Sequence, residues 1–422
     1  MEHTNELPLR EYWSFLHKIT FRFLFVFILL MTSIWEQIPF IGRFFYSIHY
    51  TASFWVQNNI LHNRWALYHQ PTGSGDTIDD WVLFFTWLAV ACIVTIIWSV
   101  IDKKRYQYST LEDGLKIVVR LYLAMIMLGY GLSKIFVQQM PPPMLTQLYT
   151  PLGNLSPMRL SWLFIGYSAP YEIFTGLMET TAAILLLFKR TSLIGVFLAM
   201  CIMVNVAMMN FCYDIPVKLF SCFLLFLSLY LILFDMKRIF QVIILHKSVN
   251  PPPLTHVKPS WQRFGWAALV LYIVFVDGLF PHLRHSEVAS RYESHHPKYY
   301  GSYDVLEYTY ADSTYNSATS EDRWNQIVIG EGSPKEGYFG YIRKGLHKIE
   351  YCTYSINTDE GIWITFSKNY QGNFFKTIQK DSSIFEMTMT NGPLITKMLV
   401  KKNDAVFLLT KKPFHWISAT AY

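Results

Sequence analysis

The sequence is short of charge. Only 16% of its 422 residues are Asp, Glu, Lys or Arg, against about a quarter in a typical soluble domain. Cysteine is also scarce: Cys92, Cys201, Cys212, Cys222 and Cys352 are the full set, and no two make a Cys-x-x-Cys pair. That argues against dithiol redox chemistry, and three of the five sit in or near apolar runs, where a free Cys behaves as a small hydrophobe. A haem-attachment motif, a dinucleotide-binding glycine fingerprint, a Walker A loop and a serine-hydrolase elbow are all missing. So is a small-residue cleavage site after the first apolar run, which is therefore expected to stay as a signal-anchor helix. No internal repeat is present.

What the chain has in quantity is apolar and aromatic side chains, 52% hydrophobic and 17% aromatic. The mean hydropathy of +0.22 is high for a soluble chain and low for membrane helices alone, so a membrane part plus a water-facing part is expected. Runs long enough to cross a bilayer, about 20 residues, number seven: Ile19–Trp35, Trp81–Ile101, Leu115–Val137, Tyr171–Phe188, Thr191–Asn210, Lys218–Phe234 and Phe264–Phe280. The formal net charge of +6 sits at the ends of these runs and not in a nucleic-acid-binding patch. Arg10, Lys18 and Arg22 precede the first run. Lys103, Lys104 and Arg105 join the second to the third, Lys189 and Arg190 the fourth to the fifth, and Lys237, Arg238, Lys247, Lys258 and Arg263 the sixth to the seventh. All fall on one side if the N-terminus is cytoplasmic. The loops Pro39–Asp80, Gln138–Pro170 and Phe211–Val217 then lie outside. Asn250-Pro251-Pro252-Pro253 reads as a stiff cytoplasmic linker.

From His282 onward the chain changes character. Its charge is nearly balanced, 16 Lys and Arg against 15 Asp and Glu, and it alternates like half-buried β structure. Strands are predicted at Tyr303–Tyr310, Arg323–Ile329, Tyr338–Ile342, Lys348–Ser355, Gly361–Ser367, Phe385–Thr390, Leu394–Lys401 and Ala405–Thr410, with Asn391-Gly392 as a hairpin turn. A small sandwich or a partly closed barrel would accommodate them. The expected fold class is an α-helical membrane bundle followed by an all-β extramembrane domain. Four regions are expected: two N-terminal spans with an outer loop over 1–113, a four-helix core over 114–236, the Pro-rich linker and seventh span over 237–281, and the β-rich domain over 282–422.

The third and fourth runs carry the chemistry. Arg120 and Lys134 are 14 residues apart, which leaves them about 40° apart on one helical face. Glu172 and Glu179 share a face of the next helix. Charges inside a bilayer seldom face lipid and usually pair. Depth allows Lys134 to pair with Glu172 or Glu179, and places Arg120 closer to Glu179. Asn205 and Asn210 offer amide partners. Two readings stay open. One is a polar pocket for a quinone head group, an isoprenoid or a proton, lined by these residues with Tyr130, in which Glu179 carries the proton. The other is an ion-pair network that only locks helices together.

Further features have plain alternatives. Asp214 and Lys218 flank an outer turn that reads as a lid over the pocket or as an ordinary turn with a snorkelling Lys. Gly73-Ser74-Gly75-Asp76 has the composition of an anion nest, but neither strand nor Lys flanks it as a phosphate loop requires, so a plain loop is expected. His282, His285, His295 and His296 are dense but irregularly spaced, and juxtamembrane histidines explain them better than a metal site does. Cys212 and Cys352 are both expected outside, and sequence does not set their distance. Met140, Met144, Met208 and Met209 read as packing residues.

Arg120, Gly129-Tyr130-Gly131, Lys134, Glu172 and the run Glu179-Thr180-Thr181-Ala182-Ala183-Ile184-Leu185-Leu186-Leu187 resemble the DoxX family. Met203 to Lys218 and Thr72-Gly73-Ser74-Gly75-Asp76 look like a long form of it. The resemblance implies a four-helix membrane core over about 114–236 in a bacterial inner membrane, with the C-terminal domain periplasmic. It implies a fold more than an activity: one branch resembles a subunit of thiosulfate:quinone oxidoreductase, and no catalytic residue carries over. The functional expectations are a quinone- or lipophile-binding role, or a non-enzymatic anchor or accessory subunit whose β domain docks a membrane or periplasmic protein. The bilayer is the partner common to both, and no nucleic acid is involved.

Overall fold

The computed structural model describes residues 12–32, 42–62, 76–249, 267–284, 296–311, 313–315, 317–333, 337–358, 361–366, 372–391, 394–405 and 407. It divides into two compact units, Met1–Gln139 with Pro170–His282, and Met140–Ala169 with Leu283–Tyr422.

The first unit is helical: α1 Phe15–Thr32, α2 Gly42–Asn59, α3 Ile78–Ile101, α4 Ser109–Ile135, α7 Ala169–Leu187, α8 Ser192–Cys212, α9 Lys218–Ile243 and α10 Ala267–Arg284. α10 is π-helical over Tyr272–Leu279. Six of these helices, α1, α3, α4, α8, α9 and α10, are long and apolar enough to cross a membrane. α7 matches the fourth predicted run, but Glu172 and Glu179 lower its hydropathy and it is not among the six. All seven contribute side chains to one apolar core, with Ile28, Ala91, Val119, Leu123, Ala182, Leu186, Ala199 and Leu227 wholly buried.

α2 lies in the stretch expected to be a plain outer loop. Its sidedness is inverted for a water-facing helix: Ser53 and Gln57 are buried while Phe44, Ile48 and Trp55 are exposed. A surface of that kind suits lipid. Gln57 Nε2 donates to Ser53 Oγ at 3.0 Å and to an Asp79 carboxylate oxygen, which ties α2 to the start of α3. α3 itself starts on a capping box, in which Thr77 and Asp80 satisfy each other's backbone N–H groups.

The second unit is a closed antiparallel barrel. Its strands are β1 Gly301–Tyr310, β2 Ser313–Thr314, β3 Trp324–Ser333, β4 Gly337–Lys344, β5 Lys348–Thr358, β6 Gly361–Phe366, β7 Gly372–Gln379, β8 Ile384–Asn391 and β9 Leu394–Asn403. The two-residue β2 pairs only at the rim of β1, and the rest run in chain order until β9 pairs back onto β1 from Ser302↔Asn403 to Tyr310↔Thr396. This closure removes both sheet edges, where the sequence left sandwich and partly closed barrel open. Ile327, Tyr354, Ile364, Phe375 and Met398 fill the interior and are all but inaccessible. β7 was not foreseen. Its adjacent Phe374 and Phe375 break the alternation, with Phe375 turned into the core and Phe374 against the Trp363 ring at 5.4 Å. The strand predicted at Ala405–Thr410 does not form at Ala405 or Phe407, and its other residues lie outside the described ones.

The boundary between the units does not follow chain order. Met140–Ala169 falls inside the stretch expected to form the four-helix core and outer loop, yet belongs with the barrel. It contains two short helices, α5 Leu145–Leu148 and α6 Pro157–Gly166. α5 lies on β3 and β4, where Val328 and Tyr341 alternate with interior residues and are wholly buried. Gly330 makes room for it, since a Cβ there would come within 2.8 Å of Thr146 Cγ2. Leu145 N donates to Glu331 Oε1 at 3.0 Å, Tyr300 Oη to the same oxygen at 2.8 Å, and Tyr149 Oη to the Asn403 carbonyl at 2.9 Å. Burial, reinforced by Glu331, pushes the Tyr300 hydroxyl's pKa up and keeps it a donor.

Candidate intramembrane ion-pair site

α4 and α7 touch backbone to backbone. A Cβ on Gly131 would lie 2.9 Å from the Gly176 carbonyl oxygen and 2.5 Å from Thr180 Oγ1, and a Cβ on Gly176 would lie 2.6 Å from the Gly131 oxygen. Small residues at this crossing allow the close approach, as is common between helices in lipid. Lys134 lies on the same face of α4 as Gly131, one turn on. Its Nζ donates to both oxygens of Glu179, at 2.6 and 2.7 Å. Both side chains are nearly inaccessible, 9% and 4% exposed. The Lys134 Nζ also lies 5.8 Å from the centre of the Tyr130 ring, itself partly exposed.

The structure selects among the sequence-level pairings. Lys134 takes Glu179 and not Glu172, which is wholly buried. Arg120 is half-buried on the same helix, about 21 Å along the axis from Lys134, so it does not share the Glu179 carboxylate. Asn210 is buried and donates to the Val217 carbonyl at 3.3 Å, closing the α8–α9 turn. Asn205 is exposed. Five residues of helix separate the two amides by about 140°, so they cannot line one site.

Asp214 and Lys218 form a capped helix start. Lys218 Nζ bonds Asp214 Oδ1 at 2.8 Å. Asp76, from the glycine-rich stretch before α3, accepts from the backbone N–H of Lys218 at 2.7 Å and of Leu219 at 2.8 Å. Where a plain loop was expected, Asp76 supplies a carboxylate to the N-terminus of another helix, the converse of an anion nest. Residues 73–75 lie outside the described ones.

A second buried charge escaped the sequence reading. Arg22, a flanking cation by sequence, lies within α1 and is 4% exposed. Its guanidinium donates to Tyr108 Oη at 2.6 and 3.0 Å, Ser99 Oγ at 2.8 Å and the Asp102 carbonyl at 2.9 Å, and Tyr108 Oη donates to Asp102 Oδ2 at 2.9 Å. The signal was one Arg inside the run Phe21 to Leu30.

Among the described residues no group of His, Cys, Asp and Glu could hold a metal. His282 Nδ1 lies 2.7 Å from Gln138 Oε1 and its ring stacks on Phe136, while the His296 ring lies tilted against Tyr300, centroids 4.1 Å apart. His285 and His295 lie outside the described residues. All five cysteines are free, Cys352 inside the barrel and Cys212 exposed.

No family model matches this chain, and no solved structure matches it. One curated relative is the uncharacterized protein YwoB of Bacillus subtilis (strain 168), 34% identical over 128 residues, which make up 28% of this chain and 75% of that protein.

Proposed function

The chain belongs to the family of this Bacillus subtilis protein, and we propose that it is a non-enzymatic anchor or accessory subunit of a bacterial inner membrane. In this reading the N-terminus is cytoplasmic, the barrel is periplasmic, and the barrel's outer surface docks an envelope or membrane partner. The observation that carries it is the double attachment of the barrel unit. The chain enters it between α4 and α7 and again after α10, while Lys134–Glu179 and the Gly131–Gly176 contact fasten α4 to α7. The cluster of Lys103, Lys104 and Arg105 supports the orientation. A barrel with a filled interior has its outer surface to offer, and Phe339 and Tyr351, both 59% exposed, and Trp363 at 42% share one side of β4–β6. Exposed aromatics in such a group suit an interface. The test is native electrophoresis of membranes extracted in a mild detergent, comparing wild type with a Phe339→Ser, Tyr351→Ser, Trp363→Ser triple variant. A wild-type complex larger than the protomer, lost in a variant that melts normally, supports docking. A lone protomer in both discards it.

A second reading keeps the DoxX resemblance and a quinone-type or other lipophilic ligand. It is favoured by the full burial of Glu172, two turns from Glu179 on α7. Quinone analysis of the purified chain tests it: Glu179→Gln should abolish a bound lipophile while leaving the fold intact.

A further inference from the structure

We propose that a cavity of about 130 Å³ between α1, α3 and α9 binds the ammonium head of an amphiphile, a primary or quaternary amine carrying an apolar tail. The site is separate from Lys134 and Glu179 and independent of their role. Asp76 and Asp80 stand on its wall beside Phe84, Trp87, Phe220 and Phe223, and the rest is aliphatic.

The charge balance points to a cation. Asp76, Asp79, Asp80 and Asp214 gather at the starts of α3 and α9, and Lys218 is the ammonium that meets two of them, 2.8 Å from Asp214 and 4.0 Å from Asp76. The two helix N-termini offset roughly half a charge each, which leaves the described residues of this end negative. Asp76 is committed to the amides of Lys218 and Leu219. Asp80 commits only Oδ2, to Thr77 N at 2.9 Å and Thr77 Oγ1 at 2.5 Å, and its Oδ1 has no partner among the described residues.

The walls narrow the kind of cation. A calcium ion needs six to eight oxygen ligands, and a wall of four aromatic rings and aliphatic chains does not supply them. Aromatic faces next to carboxylates instead suit an organic ammonium, which gains from ring quadrupole and carboxylate together. The volume equals that of on the order of four waters, enough for a head group but not for a whole lipid. Trp87 Nε1 is buried with no hydrogen-bond partner among the described residues, so a donor stands beside the cavity for a hydroxyl, ester or phosphate oxygen on the same molecule.

The full chain, purified in a neutral detergent, is titrated calorimetrically with hexyltrimethylammonium, with hexyl sulfate and hexanol as anionic and neutral counterparts. Saturable binding of one cation per chain is expected, with neither counterpart binding. Asp80→Asn and Phe84→Leu should each weaken it about tenfold, and Phe84→Leu leaves the capping box untouched. Native mass spectrometry separates the sources. One retained amine-headed phospholipid per chain, displaced by hexyltrimethylammonium, identifies a membrane lipid, whereas a lipid-free chain that also binds tetramethylammonium identifies a soluble amine. Equal binding of hexyl sulfate or hexanol, no saturation, or unchanged affinity in a folded Phe84→Leu variant overturns the proposal.

Discussion

Lys134 Nζ holds both carboxylate oxygens of Glu179 within 2.7 Å, one turn beyond the point where Gly131 and Gly176 bring two backbones together. The pair and the glycine contact belong to one device. The glycines place the helices close enough for a single ammonium to satisfy a carboxylate in the next helix. The ion pair in turn removes the cost of leaving either charge alone in a dry interior.

The glycine contact is specific to its positions. Gly176→Ala inserts a methyl where 2.6 Å separates it from the Gly131 oxygen, and should destabilise by about 1–3 kcal/mol. Gly129→Ala, which meets nothing within 4 Å, should be neutral or gain up to about 1 kcal/mol from helix propensity. Thermal unfolding in detergent compares them.

If α7 crosses together with the six longer apolar helices, the α4–α7 insertion and the barrel lie on one face of the membrane. In a cysteine-free background, Leu152→Cys and Leu346→Cys, both exposed positions, should react with an impermeant maleimide from the same side. Lys104→Cys should react only from the other. Labelling of Leu152→Cys and Leu346→Cys from opposite sides would mean that α7 does not cross.

Cys352 is closed inside the barrel, and burial pushes its thiol up to about 12. At pH 8 the thiolate is then on the order of one part in ten thousand. Peptide mapping after alkylation should find Cys352 unmodified in the folded chain and modified in denaturant.

Glu386 accepts from Lys380 at 2.8 Å and Lys397 at 3.1 Å. The Lys380 bond first, then Lys397, holds its carboxyl below the usual range. A lowered folded pKa stabilises the native state at neutral pH, and the benefit is lost as pH falls from the usual carboxylate range through that pKa. Glu386→Gln should therefore melt slightly below wild type at pH 7, and the gap should close as acid protonates Glu386 in the folded state. The gap is small because the group is at the surface.

Much of this was legible. Hydropathy located the six helices long and apolar enough to cross a membrane, and α7 besides, since a bilayer demands about 20 apolar residues and tolerates few exceptions. Alternation and turn residues located seven of the eight long barrel strands. Lys134, Glu172 and Glu179 stood out because charge in lipid is costly. What escaped depended on distant partners. The seating of Met140–Ala169 on β3 and β4 rests on Gly330 and Glu331, nearly two hundred positions from Thr146 and Leu145. Arg22 was masked by its nearness to the chain start, and its partners Ser99, Asp102 and Tyr108 lie beyond α3 or at its end. β7 was hidden by two consecutive phenylalanines that face opposite ways. No linear pattern separates a pair that only clasps helices from one that also holds a ligand, because both need the same residues at the same spacing.

A double-mutant cycle on that pair is the most direct test of the clasp. Lys134→Met and Glu179→Met are each expected to cost about 3–5 kcal/mol, because each leaves one buried charge unmatched, while the double replacement should melt near or above wild type. Recovery in the double variant, measured as the unfolding midpoint of the detergent-solubilised chain, is the predicted result. If the single variants melt like wild type and instead lose a bound lipophile, the pair is a ligand site and the clasp is contradicted.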